Sequence, residues 1–266
     1  MNLNFWHWLK INFKVNILLI GLNCFFYLLT FLLSAFFFNG NDSFGLTLLG
    51  AQVLPGTEYP FSEFILQPWR FLTSSFLHGS LLHLVFNMWA LLSLGSFVEK
   101  FYGGKKLFMI YIITGIGSAI ASFAVSFFGL WQNNSIAQGI SVSVGASGAI
   151  FGLVGVLLGN RYFKKKTYEP DLNFNASSLL TFVMINIFLG FSFNFLGSGI
   201  YINNWAHLGG LLSGLIIGAF LNTVNNFEAS KFKNIFEKVL FILSLALFVL
   251  AIIADVVFVV LNFVNI

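Results

Sequence analysis

Long apolar runs alternate with short polar segments along the whole chain. A run of about 20 apolar residues is long enough to cross the hydrocarbon core of a bilayer as a helix. The pattern predicts seven membrane-spanning helices: residues 15–38, 77–98, 107–128, 145–159, 179–196, 204–221 and 239–263. Two of them are unusual, because the second carries several polar side chains and the fourth is short for a span.

The segments between the predicted spans differ in character. Residues 1–14 combine tryptophans with lysines, which is typical of an amphipathic anchor at the membrane surface. Residues 39–76 hold three of the four prolines but also many apolar side chains, so they predict a structured loop lying partly in the interface. Residues 99–106 predict a charged turn, and residues 129–144 a polar, uncharged loop.

Composition agrees with a polytopic, all-α membrane protein. Hydrophobic residues make up 58% of the chain, charged residues 8%, and the mean hydropathy is +0.89. Soluble domains carry roughly a quarter charged residues, so that class is excluded. The single cysteine, Cys24, cannot form a disulfide within the chain.

The basic residues are distributed very unevenly between the two faces of the predicted topology. Of the 13 lysines and arginines, 12 fall on the face that carries the N-terminus, and only Arg70 falls on the other. Basic residues are retained on the cytoplasmic side, so the N-terminus is predicted inside and the C-terminus outside. This distribution explains the net charge of +4 without a nucleic-acid partner. The absence of a transit-like leader favours a bacterial inner membrane.

Five polar residues of the even-numbered spans fall in one predicted layer of the outer leaflet. They are His78, His83, Asn87, Ser147 and His207. The short fourth span is expected to begin below the outer surface, which carries its first residues into the membrane. His83 and Asn87 share a helix face, whereas His78 is expected about 140° away and about 14 Å along the helix from Asn87.

This set of side chains suits acyl transfer. Ser147 is the candidate nucleophile and His207 the candidate base, since a serine hydroxyl reacts only when a base takes its proton. The backbone N–H of Ser147 and the side chains of Asn87 and His83 are candidate donors to an oxyanion. No carboxylate is predicted in the layer, because Asp255 lies outside it, so a dyad is expected.

Other interpretations stay open at this point. Small residues around a serine are common in packed membrane helices. A membrane histidine can serve structure, but His78 and His83 would diverge on a helix, so no metal or cofactor is predicted. Asp255 either faces a polar group of a neighbouring helix or has a role of its own. The alternative function is a non-catalytic membrane-binding or transport protein that uses the same residues for packing or substrate contact.

Four motifs resemble those of the rhomboid intramembrane serine proteases. They are Trp69-Arg70, His78-x4-His83-x3-Asn87, Gly145-Ala146-Ser147-Gly148 and Ala206-His207-Leu208-Gly209-Gly210. They occur in the expected order across spans two to six. The resemblance implies a six-helix protease core with an added seventh helix. The corresponding domains are an N-terminal cytoplasmic segment at 1–14, the core at 15–222, and a basic linker with the last helix at 223–266.

The resemblance also implies the roles of individual residues. Ser147 and His207 would form the dyad, with the Ser147 N–H, Asn87 and His83 around the oxyanion and Gly145 in support. Trp69-Arg70 would be structural. Phe151 stands where relatives often have tyrosine; its ring would pack on His207 but lacks the phenolic hydroxyl. Substrates would be membrane-spanning proteins, cut near their outer ends at small residues, with water entering from outside.

Overall fold

The computed structural model describes residues 14–54, 67–133, 142–163, 178–179, 181–186, 188, 202–221 and 231–263. Two sequence predictions fall largely outside these residues: the amphipathic anchor at 1–14 and most of the fifth span at 179–196. The basic linker predicted before residue 239 is wrong in part, because the last helix begins at Lys231 and includes the lysines assigned to the linker.

The described chain is built mainly from helices. In chain order they are α1 (Lys14–Phe37), α2 (Asp42–Leu48), α3 (Arg70–Thr73), α4 (Leu81–Ala90), α5 (Ser96–Tyr102), α6 (Gly104–Asn133), α7 (Ser147–Phe163), α8 (Asn204–Phe220) and α9 (Lys231–Phe263). A 3-10 turn at Ser74–Phe76 follows α3, and a π-helical turn at Leu91–Gly95 joins α4 to α5. Two short strands, β1 (Gln52–Val53) and β2 (Val142–Ser143), pair antiparallel.

The all-α polytopic class predicted from the sequence is confirmed. Within the described residues, four helical stretches are long and apolar enough to cross a membrane: Lys14–Phe37, Leu81–Tyr102, Gly104–Phe128 and Asn234–Asn262. The shorter apolar helix α8 has nearly the predicted bounds, and α7 begins at Ser147, close to the predicted start. The chain is therefore a multi-pass membrane protein.

Two predicted boundaries around the second span are wrong. The helix begins at Leu81 rather than residue 77, because the Ser80 hydroxyl accepts the His83 N–H and caps it. His78 therefore precedes the helix, and its predicted 14 Å offset along the helix from Asn87 does not apply. The charged turn predicted at 99–106 is reduced to Gly103, which has a φ of +81° and separates α5 from α6.

Glu99 belongs to helix α5 and holds the start of α1. Its carboxylate accepts the backbone N–H groups of Val15 and Asn16 at 3.0 and 2.9 Å. These N–H groups lie in the first turn of α1, where a helix has no internal acceptors and favours negative charge. Glu99 thus connects the first span to the second, and its buried side chain is not part of a solvated turn.

The predicted first loop and the loop at 129–144 both contain regular structure. Helices α2 and α3 and strand β1 lie within 39–76, as expected of a structured loop. Helix α6 continues to Asn133, five residues beyond the end predicted for the third span. Strand β2 then pairs with β1, which joins the first loop to the chain just before α7.

Helix α7 lies at the centre of the fold. All its residues from Gly148 to Asn160 are buried, and α6 and α8 pack against it. A helix that is apolar all round is typically enclosed by protein. Helices α1 and α9 instead expose large apolar side chains, which suits contact with lipid. The polar residues near the start of α7 are therefore held by the best-enclosed element of the described chain.

The last helix, α9, packs on α3 and α6, chiefly through aromatic rings. Phe248 lies 5.5 Å from both Phe76 and Phe108, measured between ring centroids. Asp255 lies beside Thr73, the residue before Ser74. Asp255 therefore has a polar side chain of another element beside it.

Candidate active site

Ser147 is the first residue of α7, and its side chain is partly exposed. The backbone N–H groups at a helix start have no acceptor within the helix, so the Ser147 N–H makes no hydrogen bond inside α7. Gly145, two residues earlier, has a φ of +130°, and its N–H donates to the Ser74 carbonyl at 3.0 Å. This bond fixes the chain as it enters α7 and so positions the Ser147 hydroxyl.

His207 lies in the first turn of α8 and faces Ser147. Its Nε2 atom is 2.9 Å from the Ser147 Oγ atom, and its side chain is only 7% exposed. The other ring nitrogen, Nδ1, is buried and has no hydrogen-bond partner among the described residues. The two side chains therefore form a close pair in which no described carboxylate orients the imidazole.

The ring of Phe151 stacks on the imidazole of His207. The ring centroids are 4.4 Å apart and the planes differ by 6°. Phe151 is one turn after Ser147 on α7 and is almost fully buried. With no hydrogen bond to Nδ1 in the described structure, this stacking and the Nε2 contact with Ser147 restrict rotation of the His207 ring.

Helices α7 and α8 approach closely because glycines line their interface. A methyl group on Gly210, Gly214 or Gly218 would overlap a backbone carbonyl oxygen of α7. Gly155 makes the reciprocal contact, since a methyl group there would overlap the Leu211 carbonyl oxygen. Small residues allow this backbone-to-backbone packing in membranes. The close approach brings Ser147 and His207, which are 60 positions apart, within hydrogen-bonding distance.

His83 and Asn87 lie one turn apart on α4. A Cβ atom on Gly145 would be 2.8 Å from His83 Nε2 and 3.6 Å from Ser147 Oγ, so the imidazole and the hydroxyl both lie near this glycine. Asn87 is buried, and its Nδ2 donor has no partner in the described part of the chain. An unpaired amide donor in a membrane helix is available to a ligand that brings an acceptor.

The prediction that His78 and His83 diverge is wrong. Their ring centroids are 5.0 Å apart with the planes at 65°, because His78 precedes the helix and the chain turns at Gly79 and Ser80. His78 is fully buried. Across the described residues, no group of three His, Cys, Asp or Glu side chains could hold a metal ion.

Comparison with known families is decisive for the class of protein. The family model described as Rhomboid domain matches residues 66–224, which include all of the predicted site residues. The chain belongs to the rhomboid family. The whole of α1 and of α9 lies outside the matched segment, as does strand β1.

Several named rhomboid relatives are similar over a little more than half of this chain. Rhomboid protease GluP of Bacillus subtilis (strain 168) is 35% identical over 153 residues, which is 58% of this chain and 26% of GluP. RHOMBOID-like protein 5 of Arabidopsis thaliana is 35% identical over 58% of this chain and 44% of its own length. Rhomboid protease AarA of Providencia stuartii is 33% identical over 161 residues, which is 56% of this chain and 54% of AarA. This chain therefore covers between about a quarter and about half of the length of these relatives.

Two residues that support this rhomboid site were not singled out from the sequence. Asn203 caps α8 by accepting the Ala206 N–H, and its amide donates to Ser122 at 2.6 Å and Ser143 at 3.2 Å. An asparagine directly before an apolar helical run is a signal that could have identified this cap. Ser74 contributes through its backbone carbonyl, for which the sequence carries no comparable signal.

Proposed function

We propose that this chain is an intramembrane serine endopeptidase that hydrolyses peptide bonds in or near the transmembrane segments of membrane proteins. The observation that carries the proposal is the 2.9 Å approach of His207 Nε2 to Ser147 Oγ within the rhomboid segment. Two similar proteins, GluP and AarA, are named rhomboid proteases, which supports the same class of activity.

Ser147 acts as the nucleophile and His207 as the general base. With its own proton on Nδ1, the imidazole accepts the Ser147 hydroxyl proton at Nε2 while Oγ attacks the carbonyl carbon of the scissile bond. The C–N bond then breaks, and the protonated Nε2 gives its proton to the leaving amine. Water, activated by the same base, hydrolyses the acyl-enzyme and restores the serine. Stacking on Phe151 holds the ring through both proton transfers.

The tetrahedral intermediate carries an oxyanion that needs hydrogen-bond donors. The Ser147 N–H at the start of α7 is one donor, and the unpartnered Nδ2 group of Asn87 is a second. His83, which lies close to Gly145, is a third candidate. Such donors stabilise charge only as it develops, and removing one typically lowers kcat about 10²- to 10³-fold.

The site works in the outer leaflet, with the N-terminus cytoplasmic and the C-terminus external. This orientation follows from the basic residues, of which 12 of 13 fall on one predicted face. By this proposal residues 1–14 are a cytoplasmic anchor, residues 15–222 the protease core, and residues 223–266 a linker with the last helix, whose first turns are basic. Substrates are membrane-spanning helices cut near their outer ends at small residues, where a helix unwinds more easily.

The decisive experiment compares the wild type with Ser147→Ala and His207→Ala in proteoliposomes that contain a panel of single-span substrates. Both variants should lose detectable cleavage, because each lacks one member of the dyad. A fluorescent phosphonate should label the wild type on Ser147 and leave Ser147→Ala unlabelled. Ser93→Ala is the matched control, since that hydroxyl is exposed and, among the described residues, bonds only the Trp89 carbonyl of its own helical stretch.

Wild-type cleavage by either dyad variant would contradict the proposed mechanism. If the folded wild type neither cleaves the panel nor reacts with the phosphonate, the non-catalytic membrane-binding or transport alternative is favoured. Circular dichroism and size-exclusion chromatography of each variant establish that loss of activity is not loss of fold.

A further inference from the structure

Asp255 is a buried carboxylate in the apolar last helix. Its side chain is 4% exposed, and its Oδ1 atom has no hydrogen-bond partner within the described residues. An ionisable group inside a membrane helix is costly and is commonly placed against a polar partner. The proposed reaction does not use Asp255, so its surroundings call for a separate explanation.

The carboxylate faces the first loop and α3. A Cβ atom on Gly50, whose φ is +84°, would lie 2.5 Å from Asp255 Oδ1 and closer still to Thr73 Oγ1. The positively charged Arg70 guanidinium and the Trp69 indole N–H lie near the carboxylate. The indole N–H makes no hydrogen bond to a described residue. Gly50 thus leaves the space into which helix α9 inserts this charged group.

Phe258, nearly one turn after Asp255, completes the contact. Its ring lies 5.1 Å from the Arg70 guanidinium carbon and 5.8 Å from the Trp69 ring. Residues three apart on a helix share a face, so Asp255 and Phe258 meet α3 together. A cation over an aromatic face is itself attractive. The last helix therefore contacts Trp69-Arg70 by one charged and one aromatic side chain.

Helix α3 in turn organises the first loop. The Arg70 Nη1 atom donates to the carbonyl oxygens of Thr47 at 2.6 Å and Ala51 at 2.8 Å. The Thr73 hydroxyl donates to the Gly50 carbonyl at 2.6 Å. These bonds hold three backbone carbonyls of the first loop against α3, at the place where Asp255 is inserted.

The residue after α3 is hydrogen-bonded to the segment that enters α7. Ser74 follows Thr73, and its carbonyl accepts the Gly145 N–H at 3.0 Å. The Ser75 carbonyl accepts the buried Tyr111 hydroxyl at 2.8 Å, which ties this turn to α6. A shift of α3 would therefore move the acceptor that holds Gly145, two residues before Ser147.

We propose that Asp255 is a positioning residue for the active site: by anchoring α3, it holds the Ser74 carbonyl where Gly145 and the start of α7 need it. This inference rests on the proposed function, and it makes the last helix part of the catalytic unit although it lies outside the matched rhomboid segment. The residue touches neither Ser147 nor His207, so its effect passes through α3.

The test compares Asp255→Leu and Asp255→Asn with the matched control Ser244→Ala. Ser244 is a buried polar residue of the same helix, but within the described part of the chain its hydroxyl bonds only the Leu240 carbonyl of that helix. Asp255→Leu should lower kcat and the rate of phosphonate labelling about tenfold, with KM changed less than about twofold. Asp255→Asn, which keeps the shape and loses the charge, should have an intermediate effect. Ser244→Ala should match the wild type.

A double variant separates positioning from general destabilisation. Thr73→Val removes the hydroxyl beside Asp255, and its effect on kcat should not add to that of Asp255→Leu if both act through α3. Rates are measured well below the melting temperature of each variant. Additive effects, or a fall in melting temperature with kcat unchanged, would overturn the inference while leaving the proposed function intact.

Hydrogen–deuterium exchange gives a readout that does not depend on catalysis. Asp255→Leu should exchange faster than the wild type and Ser244→Ala in the peptide that contains the Gly145 amide. Unchanged exchange there would overturn the inference. If the wild type proves inactive on every substrate and with the phosphonate, the proposed function fails, and exchange alone then decides whether Asp255 anchors this segment.

Discussion

The interface between α7 and α8 and the interface between α9 and the core hold helices together in different ways. Between α7 and α8, glycines such as Gly210 and Gly214 lie directly against backbone carbonyls. Between α9 and the core, rings such as Phe248 and Phe108 fill the space. At the glycine contacts between α7 and α8 there is no side chain that can move aside. The ring contacts of α9 can adjust, because aromatic side chains can change rotamer.

This difference indicates why the Ser147–His207 pair lies across the glycine interface. A reaction between two side chains needs their separation fixed to a fraction of an ångström, and a misplacement of about 1 Å can cost about 100-fold in rate. Backbone contact provides that precision. The aromatic interface of α9 is suited to lipid-exposed packing, and by our proposal it influences the site only where Asp255 meets α3.

The largest expected effect comes from adding one methyl group to the glycine interface. A Cβ atom on Gly210 would lie 2.8 Å from the Gly148 carbonyl carbon and closer still to its oxygen. Gly210→Ala should separate the helices, lower cleavage about 100-fold and destabilise the fold by about 1–3 kcal/mol. The measurements are kcat and the melting temperature in detergent.

Gly21→Ala is the matched control for that variant. Gly21 lies on α1 with no atom within 4 Å of its hypothetical Cβ, so its replacement should leave cleavage unchanged. Equal activity of Gly210→Ala and Gly21→Ala would show that the close helix approach is not needed for the reaction.

The next effect concerns the ring that stacks on His207 within the same interface. Phe151→Leu keeps an apolar side chain but removes the stacking at 4.4 Å. Aromatic pairs contribute about 0.5–1.5 kcal/mol, so kcat should fall up to about tenfold. Phe151→Tyr retains the ring and should be much closer to the wild type. Equal loss in both variants would indicate that side-chain volume, and not stacking, matters at this position.

A smaller effect on activity is expected at the aromatic interface of the last helix. Phe248→Leu shortens a half-buried side chain that contacts Phe76 and Phe108. Stability should decrease by about 1 kcal/mol, which is typical of a single substitution, with cleavage within about twofold of the wild type. Thermal unfolding and cleavage are measured on one preparation. A loss of activity as large as that of Gly210→Ala would remove the distinction between the two interfaces.

The smallest effect is expected for the ion pair between α6 and α9. Lys106 Nζ lies 2.8 Å from Glu237 Oε2, and both side chains keep some solvent contact at 20% and 10% exposure. Pairs of this kind contribute about 0–1 kcal/mol. Glu237→Gln should therefore lower the melting temperature by only about a degree or two and leave kcat unchanged. A large loss of stability would mean that this pair, and not the rings, holds the last helix.

Local patterns were sufficient to predict much of this molecule. Hydropathy is a property of neighbouring residues, so the bounds predicted for α1 and α8 differ from the observed ones by at most one residue at each end. Ser147 and His207 stood out because polar groups are rare in apolar runs, and the structure brings them together. The catalytic roles assigned to them stay predictions until the variants are measured.

The sequence was sufficient to predict the class of protein, the apolar spans and the candidate side chains, because each depends on residues close together in the chain. Which distant groups meet depends on how the helices pack, and the folded structure alone shows it. The contact of Ser147 with His207 joins residues 60 positions apart on α7 and α8, and the position of Asp255 depends on a space left at Gly50, more than 200 residues away. Periodicity carries no information about such contacts, since they arise when separate helices pack.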